Sequence, residues 1–205
     1  MKTKQIVLLL IPLNLILAYF VYNSIDSEIK FQKVAKVRIA ENIQKLKDLR
    51  QVQIAYKKVK NNYADNFADL IYFLENDSMP IIRAIGETPD TLTDEQALEL
   101  GIIERDTAYV LAKETVFDKA YLATRDQNNP LDINLLTKVP HSEKEYNIDA
   151  SAVEKGKVIV QVFEISTTYK EVFKGLDAKN KSYDLEKLLK VGSLEEASLN
   201  GNWGE

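Results

Sequence analysis

Glycine and proline, the two strongest helix breakers, are both absent from residues 13–79 of this 205-residue chain, although both occur elsewhere in it. Apolar residues recur in this stretch every three or four positions, close to the 3.5-residue spacing of a coiled-coil seam. The seam consists of Ile39, Ile43, Leu46, Leu49, Val52, Tyr56 and Val59, followed by Tyr63. The pattern predicts a long amphipathic helix ending at Asn61 or Asn62, since asparagine accepts the left-handed conformation that closes many helices.

The apolar seam has two interpretations. It packs on the protein's own remaining residues, or it pairs with a helix of another protein, which makes the seven residues from Ile39 to Val59 partner-interface candidates. The helix is also basic, because residues 30–60 hold ten Lys or Arg and only two acidic residues, whereas residues 61–205 carry a net charge of −12. We therefore expect a basic stalk at residues 28–62 and an acidic head at residues 63–191.

An uncharged apolar run, residues 6–22, precedes the stalk. As a helix its 17 residues reach about 26 Å, near the thickness of about 30 Å of a bilayer's hydrocarbon core. The run predicts a single transmembrane anchor within residues 1–27; a cleaved signal peptide is the alternative, but no A-x-A-like cleavage site follows. Pro12 and Asn14 interrupt the run, and they either pack against a neighbouring transmembrane helix or form a tolerated kink.

The charges that flank the run give conflicting signals about its orientation. Lysines and an arginine in the stalk outnumber Lys2 and Lys4, which by the positive-inside rule favours a cytoplasmic C-terminus. A lone N-terminal span that follows lysines usually inserts the other way, and the first charges after it, Asp26 and Glu28, are acidic. We expect a single-pass protein of the inner (cytoplasmic) membrane with a periplasmic C-terminal domain.

The head reads as a mixture of short helices and strands, which gives an α+β fold class with an antiparallel sheet. Asp65 or Asn66 caps a short amphipathic helix, and Thr93 with Gln96 forms a capping-box pattern before another. Strands are predicted at residues 109–117 and 157–165, where apolar residues dominate. Residues 184–191 read as a last short helix and residues 192–205 as a polar tail with Trp203 as its apolar anchor.

Residues that carry chemistry are scarce. The chain has no cysteine and one histidine, His141, which a polar stretch places on a surface loop, and no glycine pattern that cradles phosphate occurs. Asp126, Asn128, Asn129 and Asp132 are oxygen ligands of the kind Ca²⁺ takes, but without an EF-hand spacing they fit turns better. The acidic head disfavours nucleic acid. We expect no enzyme activity, no cofactor and no metal; facing carboxylates of a hydrolase or a carbohydrate-binding domain are the less favoured alternative.

One segment of the stalk resembles a known architecture. Residues 46–56 (LKDLRQVQIAY), with Tyr63 and Leu70 seven and fourteen residues after Tyr56, are similar to the helix-to-head junction of type IV pilin-like and pseudopilin proteins. The chain as a whole, with Gly201-Asn202-Trp203 near its end, resembles a group of uncharacterised single-span bacterial envelope proteins. The segment departs from the pilin pattern because Asn61-Asn62-Tyr63 stands where a Gly-x-Tyr-Pro junction is typical.

The resemblance implies an anchored long helix with an α+β head that works beside a secretion or pilus-like machine. Taken with the scarcity of chemical groups, it predicts a non-catalytic scaffold or assembly component of the cell envelope. Its partners are then the bilayer, through residues 6–22, and other envelope proteins or further copies of itself. A pilin-like filament subunit is the alternative function.

Overall fold

The computed structural model describes residues 3–86, 89, 91–179 and 181–204. It has the predicted α+β class, with a long N-terminal helix and small antiparallel sheets. The elements in chain order are α1 (Thr3–Lys60), α2 (Phe67–Asn76), β1 (Ser78–Ile85), α3 (Asp94–Glu99), β2 (Glu104–Leu111), α4 (Ala112–Val116), α5 (Lys119–Thr124), a 3-10 turn (Ile133–Leu135), β3 (Asn147–Lys155), β4 (Val158–Thr168), α6 (Tyr169–Val172) and β5 (Leu188–Gly192).

Both ends of the α1–α2 connection follow from their local sequence. Asn61 takes a left-handed conformation with a φ of 63°, and α1 ends at the residue before it, as predicted. Asn66 caps α2 by accepting a hydrogen bond from the backbone N–H of Asp69 at 2.8 Å. The capping box of Thr93 is likewise present at the start of α3. These junctions were predictable because each depends on only a few neighbouring residues.

Two antiparallel sheets form the head. The first pairs β1 with β2, and the second has the order β3-β4-β5. The strand predicted at residues 157–165 is confirmed as β4, the central strand of the second sheet. The C-terminal part of β4 is buried on both faces, and both β4 and β5 contact α1, so the second half of the long helix lies along this sheet.

Two predicted elements are wrong. Residues 184–191 do not form a helix, because residues 188–192 form β5 instead; Leu189 and Val191, two positions apart, are both fully buried as its alternation requires. The strand predicted at 109–117 stops at Leu111, and the next five residues form α4, which buries Ala112 and Val116 four positions apart on one face. In both cases packing against distant residues decides the structure.

The C-terminal residues, predicted as a polar tail, are bound to the second sheet. Gly201 forms a bridge with Val191 of β5, and the Asn202 side chain exchanges hydrogen bonds with the backbone of Lys190 and Leu188 at 3.0 and 2.8 Å. The Trp203 indole lies over Gly201, where a β-carbon would come within 2.2 Å of the ring. Glycine at position 201 therefore makes room for the only tryptophan.

Within the described part of the chain, no helix is long and apolar enough to cross a membrane. The predicted span belongs to α1, but the side chains of residues 3–9 lie outside the described residues, as do Met1 and Lys2.

Candidate functional site

An apolar arm, defined here as residues 10–25, forms the part of α1 that extends beyond the head. Every one of these side chains is exposed, and Asn14, Asn23 and Ser24 are its only polar ones other than the tyrosine hydroxyls. Leu15, Ile16 and Leu17 are 68%, 53% and 54% exposed, although successive helix positions point about 100° apart. The arm is therefore apolar around its circumference, and such a surface marks a binding site or a membrane contact.

The two residues that interrupt the arm do not break it. α1 continues through Pro12, and the side-chain amide of Asn14 donates to the carbonyl of Leu10 at 2.9 Å. The side chain of Asn14 thus has a partner within its own helix. Packing of Pro12 and Asn14 against a neighbouring transmembrane helix stays a prediction.

Burial begins abruptly where α1 meets the head. Phe31 is 7% exposed, and its ring meets those of Phe173 and Tyr183 edge to face, with centroids 5.5 and 6.1 Å apart. Outside this cluster, hydrogen bonds from Gln32 and then from Lys181 lower the pKa of the Glu28 carboxyl. The boundary between the arm and the packed part of the helix thus falls within two helical turns.

The seam residues of α1 face the protein's own head. Leu46, Leu49 and Val52 have no exposed surface, so the interface prediction is wrong for these three and the interpretation as a core face is correct. The remaining candidates, Ile39, Ile43, Tyr56 and Val59, are partly buried against the same core. The partner here is the head, in which the fully buried Phe73, Phe163 and Leu189 belong to the same cluster.

A buried ion pair joins α1 to the segment after α5. The carboxylate of Asp48 accepts hydrogen bonds from Nε and Nη2 of Arg125 at 2.9 and 2.8 Å, from the Tyr121 hydroxyl at 2.8 Å and from Gln44 at 3.1 Å. The hydrogen bond that Arg125 donates to Asp48 raises the pKa of Arg125, and burial, followed by the Asp48 charge, raises the pKa of Tyr121. Both carboxylate oxygens of Asp48 accept hydrogen bonds, so this residue links α1 to α5 and to Arg125, which follows α5.

The sequence analysis did not single out this pair. A signal was available, because Asp48 is one of only two acidic residues in the basic stretch 30–60 and stands directly beside Leu49 of the seam. Its partner Arg125 lies 77 positions away, so no local pattern links the two.

A cleft of about 250 Å³ lies next to the ion pair. His141, on a loop as predicted and with a φ of 61°, places Nε2 2.8 Å from a carboxylate oxygen of Glu41 at its rim. Lys45 donates to the carbonyls of Leu135 and Lys138, and burial lowers its pKa. These ionisable groups are engaged by protein partners, and the arrangement offers no nucleophile paired with a base.

The predicted oxygen-rich segment forms turns. Asp126 accepts from the backbone N–H of Asn128 at 2.9 Å and from the Asn129 amide at 3.0 Å, and Asp132 caps the 3-10 turn. No three His, Cys, Asp or Glu among the described residues are grouped so that they could hold a metal ion. The hydrogen bonds that Asp126 and Asp132 accept confirm the turn interpretation of this segment.

Comparisons with known proteins found no relative of this chain. No protein family matches the chain, and neither curated proteins nor solved structures give a match. The function must therefore be argued from the residues of this chain alone.

Proposed function

We propose that this protein is a non-catalytic, single-pass membrane protein of the cell envelope, held by residues 6–22 and acting as a scaffold or assembly component. The observation that carries the proposal is the apolar arm, which is exposed around its whole circumference and gives way to a packed helix at Phe31. A second protein's helix would cover one face of the arm, whereas lipid covers all faces at once. The arrangement favours insertion into a bilayer.

A location in the inner membrane, with the head in the periplasm, completes the proposal. The head would then meet other envelope proteins, including those of a secretion or pilus-like machine. Exposed apolar side chains on the two-stranded sheet support a role in protein contacts, since Ile82 is 67% and Tyr109 is 73% exposed. The seam of α1 is not part of this proposal because the head already covers it.

Paired substitutions test the role of the arm. In Leu13→Lys/Leu17→Lys, each lysine near the centre of a transmembrane helix costs about 2.5–3.5 kcal/mol of insertion free energy. The matched control, Ile82→Lys/Tyr109→Lys, places two lysines at exposed apolar positions of the head. After alkaline carbonate extraction, we expect the natural protein and the control in the membrane pellet and the arm variant in the supernatant. An arm variant that stays in the pellet would refute membrane insertion through residues 6–22.

Reporter fusions at the C-terminus test the orientation separately. Alkaline phosphatase is active only after export, whereas green fluorescent protein folds in the cytoplasm, so a periplasmic head predicts phosphatase activity without fluorescence. The opposite pattern would place the head in the cytoplasm and remove the envelope proposal.

The pilin-like filament subunit is the second candidate. The observation that favours this candidate is the form of α1: its N-terminal part is exposed, and its C-terminal part packs along a small head. Mass spectrometry of the N-terminus in the mature protein separates the two candidates. An intact Met1-Lys2 start excludes processing by a prepilin peptidase and leaves the scaffold proposal.

A further inference from the structure

The loop between α6 and β5 lies beside the part of α1 that directly follows the arm. Lys181 of this loop donates to the Ser27 hydroxyl at 3.3 Å and pairs with Glu28 at 3.0 Å. Further along the helix, Arg38 donates to the carbonyl of Lys174 at 2.6 Å. At 1.5 Å per residue, Ser27 and Arg38 lie about 8 and 24 Å beyond Tyr22. In an inserted protein the loop therefore occupies the space just outside the lipid headgroups.

A cleft of about 300 Å³ opens in this loop. Three exposed lysines, Lys170, Lys174 and Lys179, line it together with one carboxylate, that of Asp177. Phe173 contributes an apolar wall, and so does Leu176. The cleft thus combines an excess of two positive charges with apolar surface, although the head as a whole is acidic.

The lysines of the cleft are available to a ligand. Among the described residues, Lys174 and Lys179 have no ion-pair partner within 4 Å, and Lys170 makes only a long contact of 3.7 Å with Glu186, which is itself 77% exposed. By contrast, Lys181 below the cleft is only 13% exposed because Glu28 and the Phe31 ring hold it. Lys181 therefore fixes the position of the loop, while the three lysines of the cleft, one in α6 and two in the loop, face solvent.

We propose that this cleft binds the headgroup phosphate of an anionic phospholipid in the membrane that α1 enters. The three lysines would reach the phosphate from the aqueous side of the headgroups. The inference rests on the proposed membrane insertion. It goes further in assigning the protein a lipid preference, because each lysine near an anionic surface contributes about fivefold in binding.

The test uses the full-length protein in nanodiscs of phosphatidylcholine alone or mixed equally with phosphatidylglycerol. Hydrogen–deuterium exchange of the amides in residues 173–181 is expected to slow at least fivefold when phosphatidylglycerol is present. Lys170→Gln/Lys174→Gln/Lys179→Gln should abolish this slowing. The matched control, Lys113→Gln/Lys155→Gln/Lys157→Gln, neutralises three exposed lysines of the head away from the arm and should retain it.

The outcomes separate this inference from the proposed function. A natural protein that does not enter discs of phosphatidylcholine alone would overturn membrane insertion and the lipid site together. Entry into discs with equal exchange in both lipid compositions, or equal slowing in both variants, would overturn the lipid site alone. Slowing by soluble glycerol phosphate in neutral discs would show a site for free phosphate and would also overturn it. Unchanged Trp203 fluorescence checks that the variants are folded.

Discussion

Removing the carboxylate of Asp48 should destabilise the head more than most single substitutions. The Asp48 side chain is 1% and that of Arg125 is 7% exposed, so Asp48→Ala leaves a guanidinium buried without its counter-charge. Breaking such a pair from one side costs about 3–5 kcal/mol, a large part of the roughly 5–15 kcal/mol that stabilises a typical domain. The Tyr121 hydroxyl also loses its acceptor, which was 2.8 Å away.

A double-mutant cycle separates the interaction between Asp48 and Arg125 from the cost of leaving either charge buried alone. Arg125→Met alone leaves the carboxylate with Tyr121 and Gln44 as its remaining donors, and it should cost at least about 2 kcal/mol. Asp48→Ala/Arg125→Met removes both charges, and its cost in unfolding free energy should fall below the sum of the two single changes by about 2 kcal/mol or more.

The assay is urea denaturation of the full-length protein in detergent micelles. The only tryptophan, Trp203, is half-buried and packs against the core, so its fluorescence reports unfolding of the head. An Asp48→Ala variant within about 1 kcal/mol of the natural protein would refute the reasoning, as would single changes that simply add.

Two further predictions use the same denaturation assay. Gly192→Ala should lower the free energy of unfolding by more than about 2 kcal/mol, because residue 192 has a φ of +77° and a β-carbon there would lie 2.2 Å from a backbone oxygen of β4. Gly156→Ala is the control: its φ of +69° is similar but the space around it is open, so it should cost only about 1 kcal/mol. A hydrogen bond from Lys144, then one from Ser142, lowers the pKa of Glu171 from its usual value of 4.5. The stabilisation by this carboxylate is therefore complete above pH 4.5 and disappears as the pH falls through the lowered pKa of Glu171. The loss of unfolding free energy caused by Glu171→Gln should then be smaller at pH 3 than at pH 7. An equal loss at the two pH values would contradict this.

The features that could be predicted from the sequence are those that short stretches of chain decide. The end of α1 at Asn61, the Asn66 cap and the Thr93 capping box each involve residues within four positions. Strand β4 was also predictable, because its apolar run is strong enough to identify it without its neighbours. The seam of α1 was recognised as apolar, but periodicity alone does not say what covers it.

The features that could not be predicted depend on distant partners. Strand β5 exists because Leu188 pairs with Thr168 and Val191 with Ile165, and the same residues taken alone fit a helix. The buried ion pair and the contact of α1 with the loop between α6 and β5 likewise join residues 77 and more than 130 positions apart. Such pairings require knowledge of the chain's path, which no local pattern supplies.

The unbroken run of α1 from Leu10 to Lys60 makes the helix a lever. Its 38 steps from Tyr22 to Lys60 extend about 57 Å, so a tilt of about 20°, common for helices in bilayers, would carry the far end sideways by roughly 20 Å. Because the head packs along the second half of α1, the head would move together with the helix. If α1 enters a bilayer as proposed, a change in bilayer thickness that alters the tilt would therefore displace the head sideways.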